Sequence, residues 1–198
     1  ELAPYRTLRY QFEHRRQGIF VAEGEKVVRR LIESPLPVVS VMLPEKWLPE
    51  FERHLAHRPE EIRVFVGAKE LLEQLTGFTM YQGVLAVGKV PPPPRLETIL
   101  QAGPPPLLLL AADELSNAQN MGVLVRNCAA FAATALLVGE TCCSPFLRRA
   151  VRASMGTIFR LPTIELESAS FSQRSRRREE AHADGRMQKA ECGMGSEP

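Results

Sequence analysis

Between residues 107 and 131 the pattern of apolar and polar positions changes character twice. Residues 107–110 are four consecutive leucines, too short a run to cross a membrane and suited to a strand buried on both faces. Residues 113–119 are polar and loop-forming. From Met121 the apolar positions recur at helical spacing, with Met121, Leu124, Val125, Cys128 and Phe131 on one stripe and Arg126 off it. A second apolar run, 135–138, closes on Gly139. Strand, loop, helix and strand in this order predict a βαβ unit, because parallel neighbours need a crossover of about this length. Open α/β sheets bind ligands at the carboxyl ends of such strands, which here means the loop at 113–119.

The same reading extends in both directions. Residues 19–22, 38–43, 62–66 and 84–90 read as short strands. Helices are expected from about 23 to 33, with acids favourably near the positive end, from 45 to 55 with Trp47, Phe51 and Leu55 on one stripe, and from 68 to 75. Alternation of this kind predicts a small α/β domain over residues 1–90. The prolines at 91–94 and 104–106 cannot donate to a sheet, favour an extended spacer, and mark residues 91–106 as a linker around a short amphipathic segment, 96–100. Ser144 and Pro145 form a helix start, Gly156 its end, and residues 157–161 a third strand. Residues 107–166 therefore read as the beginning of a Rossmann-like parallel sheet. Residues 167–198 lack apolar periodicity and are rich in Ser, Arg, Glu and Gly, the composition of a disordered tail.

Composition narrows the chemistry. A chain of 198 residues with 44% hydrophobic positions can bury a core, while a net charge of +2 is too small to argue for nucleic acid except through local patches. Cys128, Cys142, Cys143 and Cys192 have neither zinc spacing nor the look of a secreted disulfide framework, so a reduced, cytoplasmic protein is expected. His14, His54, His57 and His182 are scattered without metal-ligand spacing and read as surface residues; no metal is expected. Residues 5–17 interleave Arg6, Arg9, Arg15 and Arg16 with aromatic side chains. That segment reads either as a solvated helix face or as a contact for RNA phosphates.

Asp113, Asn117, Asn120, Gly122, Arg126, Ala129, Ala130 and Phe131 resemble the first motif of the SpoU/TrmH RNA ribose methyltransferases of the SPOUT superfamily. The RASMG of 152–156, with Phe159, Leu161 and Pro162, is similar to the segment that follows it. The FVAEG of 20–24 and the QGVLA of 82–86 resemble the family's amino-terminal substrate-binding domain. The chain departs from the family pattern at Asn117 and Ala118, where Asp-Pro is usual, and at Ala132, where Gly is usual. The family's two later motifs, an acidic Gly-rich turn and an Ile-Pro-Met then Ser-Leu-Asn segment, are not found.

The resemblance implies an α/β protein, a small RNA-binding domain followed by an incomplete parallel sheet of SPOUT type. It also implies methyl transfer from S-adenosylmethionine to a ribose 2′-hydroxyl of structured rRNA or tRNA, by a homodimer in the complete family protein. Asn120 would organise the catalytic loop and Arg126 would contact the target nucleotide. A permanently protonated guanidinium suits phosphate binding and orientation better than general-base work. Read from the residues alone, Asn120 could equally cap a helix starting at Met121, Gly122 could allow close approach or a bend, and Arg126 could face solvent. The family holds its cofactor with the two later motifs, so this 198-residue chain is expected to be inactive by itself. The alternatives are a noncatalytic RNA-binding protein and a defective fragment.

Overall fold

Seven short strands build two sheets in the computed structural model, which describes residues 2–8, 11–80, 82–102 and 106–166. The first sheet contains β1 (Ile19–Glu23), β2 (Val38–Leu43), β3 (Arg63–Val66) and β4 (Leu85–Lys89) in the order β1-β4-β2-β3. β4 runs antiparallel to both neighbours, and β2 and β3 are parallel.

Alternation along each strand sends residues to two faces. Val21, Met42, Leu85 and Val87 pack with Tyr5, Leu8 and Leu72, the latter from α5 (Lys69–Thr76), below which α1 (Ala3–Arg6) also lies. Phe20, Ala22, Val41, Leu43 and Ala86 pack on the other face under α3 (Glu25–Ile32) and α4 (Leu48–Leu55). A second short helix near the amino terminus, α2 (Gln11–Arg16), runs into β1. The Tyr5 hydroxyl is buried against Ser40 Oγ at 2.8 Å, and burial pushes its pKa well up, with the Ser40 bond acting the other way.

After α6 (Leu96–Ala102), which fills the segment between the prolines, the second sheet is fully parallel. It has β5 (Leu109–Ala112), β6 (Ala135–Val138) and β7 (Thr163–Glu165) in that order, crossed by α7 (Ala118–Ala130) and α8 (Arg148–Ala153). The core does not stop between the sheets. Phe20 of β1 stacks on Phe159 at 5.5 Å and meets Phe146 at 5.3 Å, and one continuous apolar cluster runs from Leu31 and Phe51 to Met121, Val125 and Val151.

Several local expectations are corrected. Residues 157–161 are not a strand: Gly156 takes a left-handed φ of 80°, Thr157–Phe159 wind into a 3-10 turn, and Ile158 and Phe159 plug the core. Strand β7 follows them. Helix α8 starts at Arg148 instead of Ser144, because Ser144 closes a tight turn in which its Oγ accepts from Phe146 N–H and its carbonyl from Leu147 N–H. The leucine run is not buried on both faces. β5 is an edge of the sheet among the described residues, and Leu108 is 46% exposed. Phe131, expected on the buried stripe, is 76% exposed at the end of α7. His14, read as a surface residue, is only 6% exposed and bonds Thr7 Oγ1 at 3.0 Å; burial pulls its pKa down.

Candidate functional site

The loop between β5 and α7 is tied to the loop after β6. Asp113 Oδ1 accepts from Thr141 Oγ1 at 2.9 Å and from Glu114 N–H at 3.0 Å, and Thr141 Oγ1 accepts from the same N–H at 3.1 Å. Cys143 N–H donates to the Leu115 carbonyl, and the Cys142 thiol to the Ala112 carbonyl at 3.4 Å. Gly139 sits where a Cβ would come within 2.8 Å of Asp113 Oδ1, so the two loops close on each other at the carboxyl end of the sheet.

Asn117, and not Asn120, caps the helix that follows. Its Oδ1 accepts from Gln119 N–H at 2.9 Å and Asn120 N–H at 3.1 Å, and the helix begins at Ala118. Asparagine serves at this position as aspartate would, and alanine follows at the first helical position where proline is favoured but not required. Asn120 is left exposed in the first turn with its side chain uncommitted among the described residues. Gly122 settles as a close-approach glycine. A Cβ there would lie 2.6 Å from Ala153 Cβ and closer still to the Ala150 carbonyl oxygen, so α7 and α8 touch backbone to backbone.

Arg126 is exposed and has no hydrogen-bond or ion-pair partner among the described residues. It stands six residues after Asn120, about 9 Å along the axis and about one and two-thirds turns round it, so the two side chains leave α7 in different directions. The helix alone does not bring them to one point.

The amino-terminal arginines are also divided. Arg6 lines a groove beside β3, with Val64, Val66 and Leu71. Arg15 lies at the opposite edge of that sheet and pairs with Glu165 at 3.0 Å; Arg16 pairs with Glu13 at 2.9 Å. Arg9 lies outside the described residues. Both pairs are exposed, so a phosphate could replace either carboxylate at little cost.

Sequence reasoning missed what joins the halves. Glu23, 12% exposed at the end of β1, takes Arg148 Nη1 at 2.5 Å and Arg152 Nη1 at 2.8 Å from α8. Arg148 also stacks over Phe78, and Arg30 donates to the Met155 carbonyl. The two short motifs containing Glu23 and Arg152 were visible, but nothing local pairs residues 129 apart. Beside this junction a cleft of about 190 Å³ opens between β1, the 144–148 turn and β7. No metal-binding group of three His, Cys, Asp or Glu occurs among the described residues. No helix among them is long and apolar enough to cross a membrane. Burial raises the pKa of the Cys128 and Cys143 thiols, which disfavours the thiolate a nucleophile would need.

Comparison with known proteins gives these features a context. Residues 107–183 match the family model described as the SpoU rRNA Methylase family, a match that runs past Glu165. An uncharacterized tRNA/rRNA methyltransferase of Mycobacterium tuberculosis strain H37Rv is 29% identical over 147 residues, covering 74% of this chain and 49% of the relative. The chain thus spans about half the length of the curated relatives it matches. The AdoMet-bound rRNA methyltransferase of Sinorhizobium meliloti superposes with a TM-score of 0.70 at 19% identity, over 88% of this chain and 64% of the other. The SpoU methyltransferase AviRb of Streptomyces viridochromogenes does so with a TM-score of 0.69 at 22% identity, over 91% and 66%. At such identities the structures establish the fold, a mixed α/β architecture with a parallel sheet. Residues 107–183, which carry the motif-bearing loop before α7, are thus similar to the SpoU rRNA methylase family, on a fold shared with SpoU and rRNA methyltransferases of known structure.

Proposed function

We propose that this chain is the RNA-engaging part of a SpoU-type enzyme that methylates a ribose 2′-hydroxyl of structured rRNA or tRNA, with S-adenosylmethionine as donor. The observation that carries the reading is helix α7. It projects from the carboxyl end of a parallel strand, is capped by Asn117, and leaves Asn120 and Arg126 exposed and unpaired among the described residues. A 2′-hydroxyl is a weak nucleophile and gains most from being held in line, so Arg126 would bind an RNA phosphate, while Asn120, about 9 Å back along α7 and on another side of it, would order the catalytic loop.

The described residues at the carboxyl end of the second sheet do not by themselves make a cradle for S-adenosylmethionine. The loops after β5 and β6 are tied to each other through Asp113, Thr141 and Cys142. The cleft of about 190 Å³ beside β7 falls below the roughly 300–1,000 Å³ of pockets that enclose a whole ligand of that size. No step through the donor is therefore assigned to these residues. What they supply is RNA binding and orientation. A second reading, a noncatalytic RNA-binding protein, is favoured by that same mutual closure of the two loops.

The test pairs the 198-residue chain with a chimera in which the carboxyl half of the M. tuberculosis relative follows β7. Both are given radiolabelled S-adenosylmethionine and rRNA or tRNA, and the digested RNA is analysed for modified nucleosides. Label in 2′-O-methyl nucleosides from the chimera is the expected result. Label in bases alone would overturn the ribose assignment, and RNA binding without any transfer by the chimera would favour the noncatalytic reading.

A further inference from the structure

The cleft beside β7 has no role in the function proposed above, yet its walls have a definite chemistry. Two come from segments far apart in sequence: Ile19 and Phe20 of β1 on one side, Ser144 and Phe146 after β6 on the other, with Thr163 and Glu165 of β7 between them. Phe146 is only half-buried, so part of its ring is left facing outward after its contact with Phe20. Ser144 Oγ accepts from Phe146 N–H, which leaves its own O–H free to donate. The Thr163 hydroxyl has no hydrogen-bond partner among the described residues. At the rim, the Arg15 side chain is held among the described residues only by its exposed pair with Glu165.

From this we infer that the cleft receives one unstacked base of the bound RNA; the inference rests on the RNA reading above. Size supports a single base, because about 190 Å³ is too small for a whole cofactor. A flat ring with a polar edge matches an aromatic and aliphatic wall facing two hydroxyls and a carboxylate. Sequence-selective RNA binding usually works this way, by splaying a loop base onto an aromatic side chain and reading its edge with hydrogen bonds. Stacking adds a contribution that every base can make. The adjoining phosphate would then reach Arg15 at the rim, displacing Glu165 from an exposed pair of small intrinsic worth. Ser144, Thr163 and Glu165 become specificity-determining residues, and α2 becomes the phosphate contact next to them.

The test uses the full 198-residue chain and a stem-loop RNA with 4-thiouridine in its loop, cross-linked by light and mapped by peptide mass spectrometry. Adducts within residues 144–148 or 163–165 are expected. Ser144→Phe, which fills the cleft, should cut their yield at least fivefold, while the wild-type map stands independently of whether that variant folds. RNA that binds but cross-links only elsewhere would overturn the inference and leave the RNA reading intact. A chain that binds no RNA would overturn both.

Discussion

Replacing Gly122 by alanine tests the helix contact on which the α7 site is mounted. The new Cβ would lie 2.6 Å from Ala153 Cβ and nearer still to the Ala150 carbonyl oxygen, which belongs to backbone and has no rotamer through which to escape. Helices α7 and α8 must therefore separate, loosening Met121, Val125, Ala150 and Val151, all fully buried. Overpacking of this kind costs about 3 kcal/mol when the obstacle is rigid. Alanine returns about 1 kcal/mol because it is the better helix former, leaving a net loss of about 2 kcal/mol. For a chain of this size that is a fall in Tm of roughly 4–8 °C, readable by circular dichroism. Val123→Ala, on the exposed side of the same helix, should change stability by less than about 0.5 kcal/mol. A Gly122→Ala chain as stable as wild type would refute the backbone-to-backbone contact.

The remaining predictions concern charge. Arg58 bonds the carbonyls of Ile32, Ser34 and Leu36 as well as Glu60, so Arg58→Ala should cost about 3 kcal/mol in a urea melt. The Arg58 hydrogen bond, helped by the Val38 amide, holds the Glu60 carboxyl down at about 2, against an ordinary 4.5. A depressed carboxylate contributes stability above its unfolded pKa and loses it as pH falls towards the folded one, so Glu60→Gln should flatten the loss between about pH 4.5 and 2; an unchanged acid limb would discount the pair. Arg126→Ala should leave the melt within about 0.5 kcal/mol of wild type while lowering methyl transfer by the chimera about 100-fold or more, and equal activity would make it a plain surface residue. Replacing Arg15 and Arg16 together should lower the salt slope of RNA affinity by about two contacts' worth, roughly 1.4–1.8 in log-log units.

How much of this could be read from sequence depended on whether the deciding contact was local. The strands of the first sheet follow from short apolar runs and the helix after β5 from its period-3.6 stripe, and they appear within a few residues of their expected bounds. Asn117 and Asn120 are both good capping residues three apart, and only the turn of the loop decides that the first one caps. The residues Ile158, Phe159 and Leu161 are apolar enough for a strand, but a left-handed Gly156 and a core position beneath Phe20 make them a buried turn. His14 gave no sign of burial, although its partner Thr7 lies only seven residues away, because packing within an irregular amino-terminal stretch leaves no periodic pattern.

The Glu23 junction shows the limit most clearly, and it bears on how the proposed function would work. A carboxylate 12% exposed between two guanidiniums is favourable only while both partners stay, and Arg148 Nε is buried without a partner among the described residues, so this bridge has little polar redundancy. Its strength comes from the company it keeps: Phe20, Phe146 and Phe159 close the apolar side of the same contact. Since α8 meets Glu23 through its arginines and α7 through Gly122, the path from β1 to the exposed face of α7 passes through two direct contacts, one ionic and one backbone to backbone. A phosphate held at Arg15 and a nucleotide held at Arg126 would then stand at a fixed separation, which is what in-line attack by a weak hydroxyl nucleophile requires of an RNA-binding surface.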